Sequence, residues 1–165
     1  MASDGDSGLP AEPAERVRAI LERVVDALDV EANVEVDEDP EQIVGRVDGE
    51  DVGLLIGRRG QTIDAVQLLC YRAAFRGLQE RKRVVVDAAG YRERRQEAIE
   101  RQADRAADRA LKTSKEIELD PMTPTERRVV HQYLKDRAGV ETFSEGEEPE
   151  RRLVVAPVVQ DVGPA

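Results

Sequence analysis

Apolar residues recur at helical spacing from Ala14 onward: Val17, Ile20, Leu21, Val24, Val25 and Leu28 form one stripe, with Arg and Glu on the other faces. This predicts an amphipathic helix. The period then drops to two. Ala32, Val34 and Val36 alternate with polar residues, as do Ile43, Gly45 and Val47, with Asp39-Pro40 between the runs and Asp48-Gly49 after them. That pattern predicts two short strands in a hairpin-like pair. A brief apolar turn, Val52 to Ile56, runs into Gly57-Arg58-Arg59-Gly60. A second helical stripe follows, Ile63, Val66, Gln67, Cys70, Ala73 and Ala74, until Gly77 stops it. The basic loop Gln79 to Arg83 leads into a strand, Val84-Val85-Val86. The predicted order is α-β-β-α-α-β.

A second pattern starts at Gly90. Residues 91–112 are dense in Arg, Glu and Ala, without a helix breaker, and place Ile99, Ala103, Ala106, Ala107, Ala110 and Leu111 on one face of a long helix. A strand over Glu116 to Leu119 ends at Asp120-Pro121. Thr125 is a plausible cap for the next helix, although Pro124 or Thr123 could equally open it. That helix carries Arg127, Val130, His131 and Leu134 and stops near Gly139. Val140 to Phe143 and Arg152 to Ala156 read as strands joined by a polar loop, Ser144 to Glu150. This half reads α-β-α-β-β. The fold class expected is therefore α+β in two small domains, 14–89 and 90–158. An acidic tail over 1–13, too poor in apolar residues to offset its ordering entropy, and a loose segment over 159–165 flank them.

Charge changes the picture once it is counted by segment. The 165 residues carry 25 Lys+Arg against 35 Asp+Glu, net −10, which argues against nonspecific binding to polyanions. Residues 57–137, however, hold 19 basic and 13 acidic residues, net +6, leaving net −16 for the flanks. With a Debye length of roughly 8 Å at physiological salt, a basic centre meets phosphates while distant acidic flanks are screened. Nucleic acid stays among the candidate ligands. The lone Cys70 excludes an intramolecular disulfide and a multi-thiolate metal site, and fits a reducing compartment. No charge-free run exceeds eight residues, Leu153 to Gln160, and Met1 to Asp6 lack the basic and apolar regions of a signal peptide. A cytoplasmic protein without membrane insertion is expected.

Two constellations carry candidate chemistry. In Gly57-Arg58-Arg59-Gly60 the glycines allow a tight turn and close approach of a ligand backbone, while two guanidinium groups stand beside the N-terminus of the helix opening at Gln61. A bare Gly-x-x-Gly is more often a solvated turn. The surrounding element order lifts it, because a KH domain uses such a loop to clamp about four nucleotides. Arg127 and His131, spaced i, i+4, share a helical face about 6 Å apart and offer a fork and a stacking or hydrogen-bonding ring. No Ser or Cys nucleophile, metal-ligand spacing or P-loop ending accompanies either feature, so no enzyme activity and no cofactor are expected. Aromatic scarcity disfavours sheet-based readers: Tyr71, Phe75, Tyr91 and Tyr133 fall on predicted helices and only Phe143 on a strand.

Residues 52–76, with Leu55-Ile56-Gly57-Arg58-Arg59-Gly60-Gln61-Thr62-Ile63-Asp64-Ala65-Val66-Gln67, resemble a type II KH domain of the bacterial Jag (KhpB, SpoIIIJ-associated) family. Tyr91 to Arg95, Leu119 to Met122, Glu126 to His131 and Ser144 to Pro149 resemble the other half of the same proteins, a domain named for its Arg-xxx-His signature. The resemblance covers roughly residues 14–158 and is that of a short form lacking the N-terminal Jag domain of many members. It implies an RNA-binding protein, an RNA chaperone or post-transcriptional regulator affecting cell envelope or division. Single-stranded RNA would be gripped at Ile56, Gly57, Arg58, Arg59, Gly60 and Gln61, with Ile56, Ile63 and Val85 cradling bases. Arg81 and Lys82 would flank the groove, and Arg92, Arg94 and Arg95 would add contacts near the domain junction. Arg127, Arg128 and His131 would supply the second face, with single-stranded DNA as a further ligand. The competing expectation is a protein-interaction adaptor that pairs with a small single-KH (KhpA-like) protein or with itself.

Overall fold

The structure, a computed structural model, describes Gly8 and residues 10–158. The backbone divides between Arg92 and Glu93 into two compact units. In the first, α1 (Pro13–Ala27) begins with proline, whose fixed φ suits a first helical position, and buries Val17, Leu21 and Val25. The strands β1 (Ala32–Glu38) and β2 (Gln42–Gly49) form the expected antiparallel pair, with Val34 opposite Val47 and Val36 opposite Gly45. The chain then passes through α2 (Gly53–Ile56), a 3₁₀ turn (Arg58–Gly60) and α3 (Gln61–Ala74) to β3 (Arg83–Ala88). β3 pairs with β2 in parallel, giving the order β1-β2-β3. A parallel pair needs a crossover, and α2 and α3 are that crossover.

The core lies between the sheet and the two longer helices, with Leu21, Ile43, Val47, Ile63, Cys70 and Val86 at its centre. Gly45 breaks the apolar alternation of β2 for a packing reason: a Cβ there would stand 2.5 Å from the Leu21 Cδ1 atom. Arg16 closes the other end of α3. Its Nη1 donates to the carbonyls of Ala73, Ala74 and Arg76 at 3.4, 3.2 and 3.0 Å, placing a cation on the negative end of the helix dipole. Arg16 Nε also donates to the Pro10 carbonyl at 2.7 Å. Much of the tail expected over 1–13 lies outside the described residues, as do all of 159–165, but Pro10 is anchored to α1.

The second unit is entered along α4 (Tyr91–Thr113), which buries Ile99, Ala103, Ala106, Ala107 and Ala110, mostly small side chains that let neighbouring elements approach its backbone. Leu111, expected on that face, is 43% exposed. One residue past Ala110 is about 100° of helical rotation, enough to turn it toward solvent. The sheet order is β4-β6-β5, all antiparallel, from β4 (Ile117–Glu118), β5 (Val140–Glu145) and β6 (Arg152–Pro157). β4 has two residues where four were expected; past it the chain keeps only isolated bonds to the β6 side, from Leu119 N–H to the Leu153 carbonyl at 2.9 Å and, beyond Asp120-Pro121, from Met122 N–H to the Arg151 carbonyl at 3.1 Å. The next helix, α5 (Pro124–Leu134), is capped by Thr123 and not by Thr125. Thr123 Oγ1 accepts from Glu126 N–H and the Glu126 carboxylate accepts from Thr123 N–H, a reciprocal capping box.

Urea denaturation followed by circular dichroism should show Leu21→Ala costing about 2–5 kcal/mol, since the side chain is fully buried against the sheet. Thr123→Ala should cost about 1 kcal/mol through loss of the cap.

Candidate nucleic-acid interfaces

The Gly57–Gly60 turn is built from left-handed backbone. Gly57 has φ 71°, Arg59 φ 53° with ψ 29°, and Gly60, the N-cap of α3, φ 76°. Glycine adopts such angles without a Cβ penalty; Arg59 does so at a cost of about 1–3 kcal/mol. The glycines are required from behind as well. A Cβ on Gly57 would sit 2.1 Å from Thr62 Oγ1, and one on Gly60 2.8 Å from the Tyr91 ring. Thr62 and Tyr91 thus brace the inner side of the turn. Arg58 is exposed and Arg59 half-buried, and neither makes a hydrogen bond or ion pair among the described residues. Gln61, at the start of α3, is exposed, and no side chain caps that helix end. Of the aliphatic residues expected to cradle bases, Ile56 and Val85 are half-buried beside solvent, but Ile63 is fully buried in the core and unavailable.

Other expected contacts in this unit are placed elsewhere or already engaged. Arg81 and Lys82 follow the far end of α3, a helix of 14 residues and so about 21 Å long. Lys82 Nζ donates to Glu38 at 2.7 Å and to the Asp39 carbonyl at 2.9 Å. Arg81 lies over the Tyr71 ring, 6.0 Å from its centroid. The pair edges an open cavity of about 700 Å³ with Pro13, Pro40, Phe75 and Leu78, at the end of α3 opposite the glycine turn. Arg92 is a strap and not a free fork. Its Nε donates to the Val86 carbonyl at 2.7 Å, Nη1 to Asp64 at 2.9 Å and Nη2 to Gln67 Oε1 at 3.0 Å, tying β3 to the first turns of α3.

The second unit gathers its candidates around an open cleft of about 390 Å³, walled by Arg127, Arg128, His131, Thr142, Phe143 and Arg151. Arg127 and His131 share a face of α5, as their spacing requires, but Arg127 is only 8% exposed. Its Nη1 donates to the Met122 carbonyl and Nη2 to the Glu148 carboxylate, both at 2.6 Å. The expected phosphate fork is therefore a structural clamp, and the acidic loop 144–150 supplies its counter-charge. His131 Nδ1 bonds Thr142 Oγ1 at 2.6 Å, which fixes the ring on β5. Arg128 is exposed, without a hydrogen bond or ion pair among the described residues. Arg95 Nε pairs with Glu126 at 2.6 Å inside the unit, so its guanidinium is already engaged; Arg94 is exposed on α4. Phe143 and Arg151 were not among the expected contacts. Phe143 carried a faint signal as the only aromatic on a predicted strand, and Arg151 carried none.

Burial pushes the Cys70 thiol up to about 12, so it is a neutral core side chain at ordinary pH. Among the described residues no group of three or more His, Cys, Asp or Glu is placed to hold a metal ion, and no helix is long and apolar enough to cross a membrane.

Residues 14–87 match the KH domain of the KhpA/KhpB family, and residues 97–157 match the Arg-xxx-His (R-three-H) domain family. The chain is 38% identical over 138 residues to an RNA-binding protein KhpB of Clostridium symbiosum, covering 82% of this chain and 62% of that one. It is 35% identical over 147 residues to RNA-binding protein KhpB of Bacillus subtilis (strain 168), covering 88% of this chain and 71% of the relative. A KhpB of Lactiplantibacillus plantarum is 38% identical over 157 residues, 89% of this chain and 49% of that one. The chain belongs to the KhpB family. It spans between about half and seven-tenths of the length of these KhpB relatives. The glycine turn with Arg58 and Arg59 lies within the matched KH segment, and the cleft with Arg128 and His131 lies within the matched Arg-xxx-His segment.

The clamp and the free cation of α5 separate by substitution. Arg127→Ala should lower the stability of the Arg-xxx-His unit by about 1–3 kcal/mol, because the Met122 carbonyl loses its donor. Arg128→Ala should stay within about 0.5 kcal/mol. Thermal melts of both variants check this.

Proposed function

We propose that this KhpB-family chain binds single-stranded RNA, without catalysing a reaction on it, through the Gly57–Gly60 turn and the α5 face of the Arg-xxx-His unit. One observation carries the reading. Three left-handed residues, braced by Thr62 and Tyr91, hold Arg58 and Arg59 with no hydrogen-bond or ion-pair partner among the described residues. Preorganised cations of this kind suit phosphate oxygens, since little side-chain pairing must be broken before they meet the ligand. The curated relatives are named RNA-binding proteins, which supports RNA as the polyanion. In the second unit Arg128 and His131 form the contact face, and Arg127 positions it. Single-stranded DNA is a second ligand for this face, since neither a guanidinium nor an imidazole needs the 2′-hydroxyl. In the cell the chain acts in the cytoplasm as an RNA chaperone or post-transcriptional regulator affecting envelope or division.

A second reading rests on Leu68 and Leu69 of α3, which are 55% and 56% exposed. Adjacent large apolar side chains on one helix suit pairing with a small KH protein of the KhpA kind or with a second copy. Mixing with such a partner discriminates: a complex that survives nuclease and removal of both loop arginines, with no RNA crosslinks, favours the adaptor.

Arg58→Ala/Arg59→Ala tests the main reading. The slope of log affinity for single-stranded RNA against log salt should flatten by about 0.7 for each phosphate no longer held. An unchanged slope with the fold intact rejects the turn as the RNA grip.

A further inference from the structure

In the second unit the core lies on one face of the β4-β6-β5 sheet, the face that carries Leu153 and Val155. The same face lines the cleft of Arg128 and His131, beside Arg151, whose Nε is buried without a hydrogen-bond partner. The register turns the ring of Phe143 the other way. Phe143 and Glu118 flank Val154, Glu141 flanks Ala156, and Glu145 stands opposite Arg152, all on the face directed away from the core. Glu116, just before β4, continues the alternation from Glu118. A one-sided antiparallel sheet normally presents polar residues to solvent. The middle strand departs from that rule. Leu153, Val154, Val155 and Ala156 of β6 are all buried, the pattern of a strand covered on both faces, and Val154 and Ala156 stand outside the helix-side core. Phe143, beside Val154, is 41% exposed.

Four exposed carboxylates surround this apolar strip, Glu116, Glu118, Glu141 and Glu145, with one cation, Arg152, which donates to Glu118 at 2.7 Å. Glu116, Glu141 and Glu145 make no ion pair among the described residues. At one end the strip opens into a hollow of about 470 Å³ bounded by Ser114, Glu116, Glu141, Ala156, Pro157 and Val158. Its floor is apolar and its sides are anionic. Neighbouring strands lie about 4.8 Å apart, so Glu116 and Glu141, on either side of β6, start about 10 Å apart across that floor. A long cationic side chain matches both features, its aliphatic stem on Ala156 and Val158 and its head between the carboxylates. Arginine suits the face better than lysine, because its planar group forks onto carboxylates and stacks on aromatic rings.

We infer that this outer sheet face docks an arginine-bearing segment of another protein, with one guanidinium held in the hollow between Glu116 and Glu141 and a second stacked on the Phe143 ring. Charge selects the occupant. The same carboxylates repel phosphates, so the face that recruits a basic protein rejects a polynucleotide, while the cleft on the opposite face stays open to one. The inference concerns a surface that the RNA-binding reading does not use, and it does not rest on that reading.

The test uses the full chain, free of RNA, and a fluorescein-labelled twelve-residue peptide of alternating arginine and serine, with fluorescence anisotropy as the readout. Glu116→Gln/Glu141→Gln should weaken binding about 2- to 30-fold, the range for losing two exposed ion pairs. Phe143→Thr should also weaken it about 2- to 30-fold, through loss of the cation–π contact. Glu22→Gln/Asp26→Asn removes the same two charges from exposed positions of α1 and should bind within about 1.5-fold of the parent. A citrulline version of the peptide, which keeps the shape and loses the charge, should not bind. A readout on the unsubstituted protein guards against misfolded variants: in isotope-labelled chain the arginine peptide should shift amide signals of residues 116–118, 141–145 and 152–158. Shifts confined to other segments, or equal loss of binding in the α1 variant, would overturn the docking face. Dimerisation of the chain that Phe143→Thr abolishes, with no peptide-induced shifts in these segments, would overturn the proposed partner in favour of a second copy. Shifts of the same segments by single-stranded RNA would overturn it in favour of a polynucleotide.

Discussion

The first unit depends on a turn that must run left-handed in a confined space. Gly57, Arg59 and Gly60 take positive φ in close succession. Thr62 and Tyr91 fill the positions where Cβ atoms of the two glycines would project. The glycines are therefore fixed by packing from within before any ligand is considered. The turn also sits inside the crossover that the parallel β2–β3 pairing demands, so its exit is the start of α3. Arg92 then fastens α3 to β3 through Asp64, Gln67 and the Val86 carbonyl. With its frame held on both sides, the turn leaves Arg58 and Arg59 without a hydrogen-bond or ion-pair partner among the described residues. A flexible turn would have to order itself at the moment of binding, at a cost in affinity that this arrangement meets during folding.

The second unit solves a different problem with the same residue types. Arginine and histidine one helical turn apart share a face, but only one of them remains available. Arg127 satisfies the Met122 carbonyl at the entry to α5 and holds Glu148 of the β5–β6 loop, so it joins two segments through polar bonds and not through apolar packing. Removing the Glu148 charge would leave the buried Arg127 poorly compensated, whereas Glu148 itself is half exposed to solvent. The signature arginine thus shapes the cleft, and Arg128 and His131 are exposed residues of α5 that line it. His131 is itself oriented by Thr142, which leaves the ring edge fixed against the strand that carries Phe143.

Most of the secondary structure was legible because burial here follows simple periods: Val17, Leu21 and Val25 on one helix, Ile43 and Val47 on one strand, and Ile99 to Ala110 on another helix. The departures have local causes. Thr123 won the cap from Thr125 because only Thr123 has a glutamate three residues on. Leu111 lay one position beyond the buried stripe. The direction of the β2–β3 pairing is set by tertiary packing, which no local period encodes. For the sites, the glycine turn and the α5 face both stood out along the chain, and both remain the proposed contacts. Which arginines had spare donors did not. Arg58, Arg92, Arg127 and Arg128 look alike in a string of residues, and only three-dimensional neighbours separate the cations held by Asp64, Gln67, Met122 and Glu148 from those left open. Arg151 was silent because an orphaned donor is a property of packing alone.

The proposed contacts of the two units have a common electrostatic consequence. A grip on phosphates gains its free energy from released counterions and weakens steeply as salt rises. If both proposed sites hold one strand, the second contact is intramolecular once the first has formed, and modest sites reinforce each other by effective concentration. The charge distribution suits a local grip. Flanks of net −16 repel a polyanion over the long range available at low salt, yet at physiological ionic strength their field falls off within roughly 8 Å. A phosphate at Arg58 and Arg59, the proposed grip, would then be governed by those two guanidiniums and the frame beneath them, whereas loose electrostatic association with the chain as a whole is disfavoured.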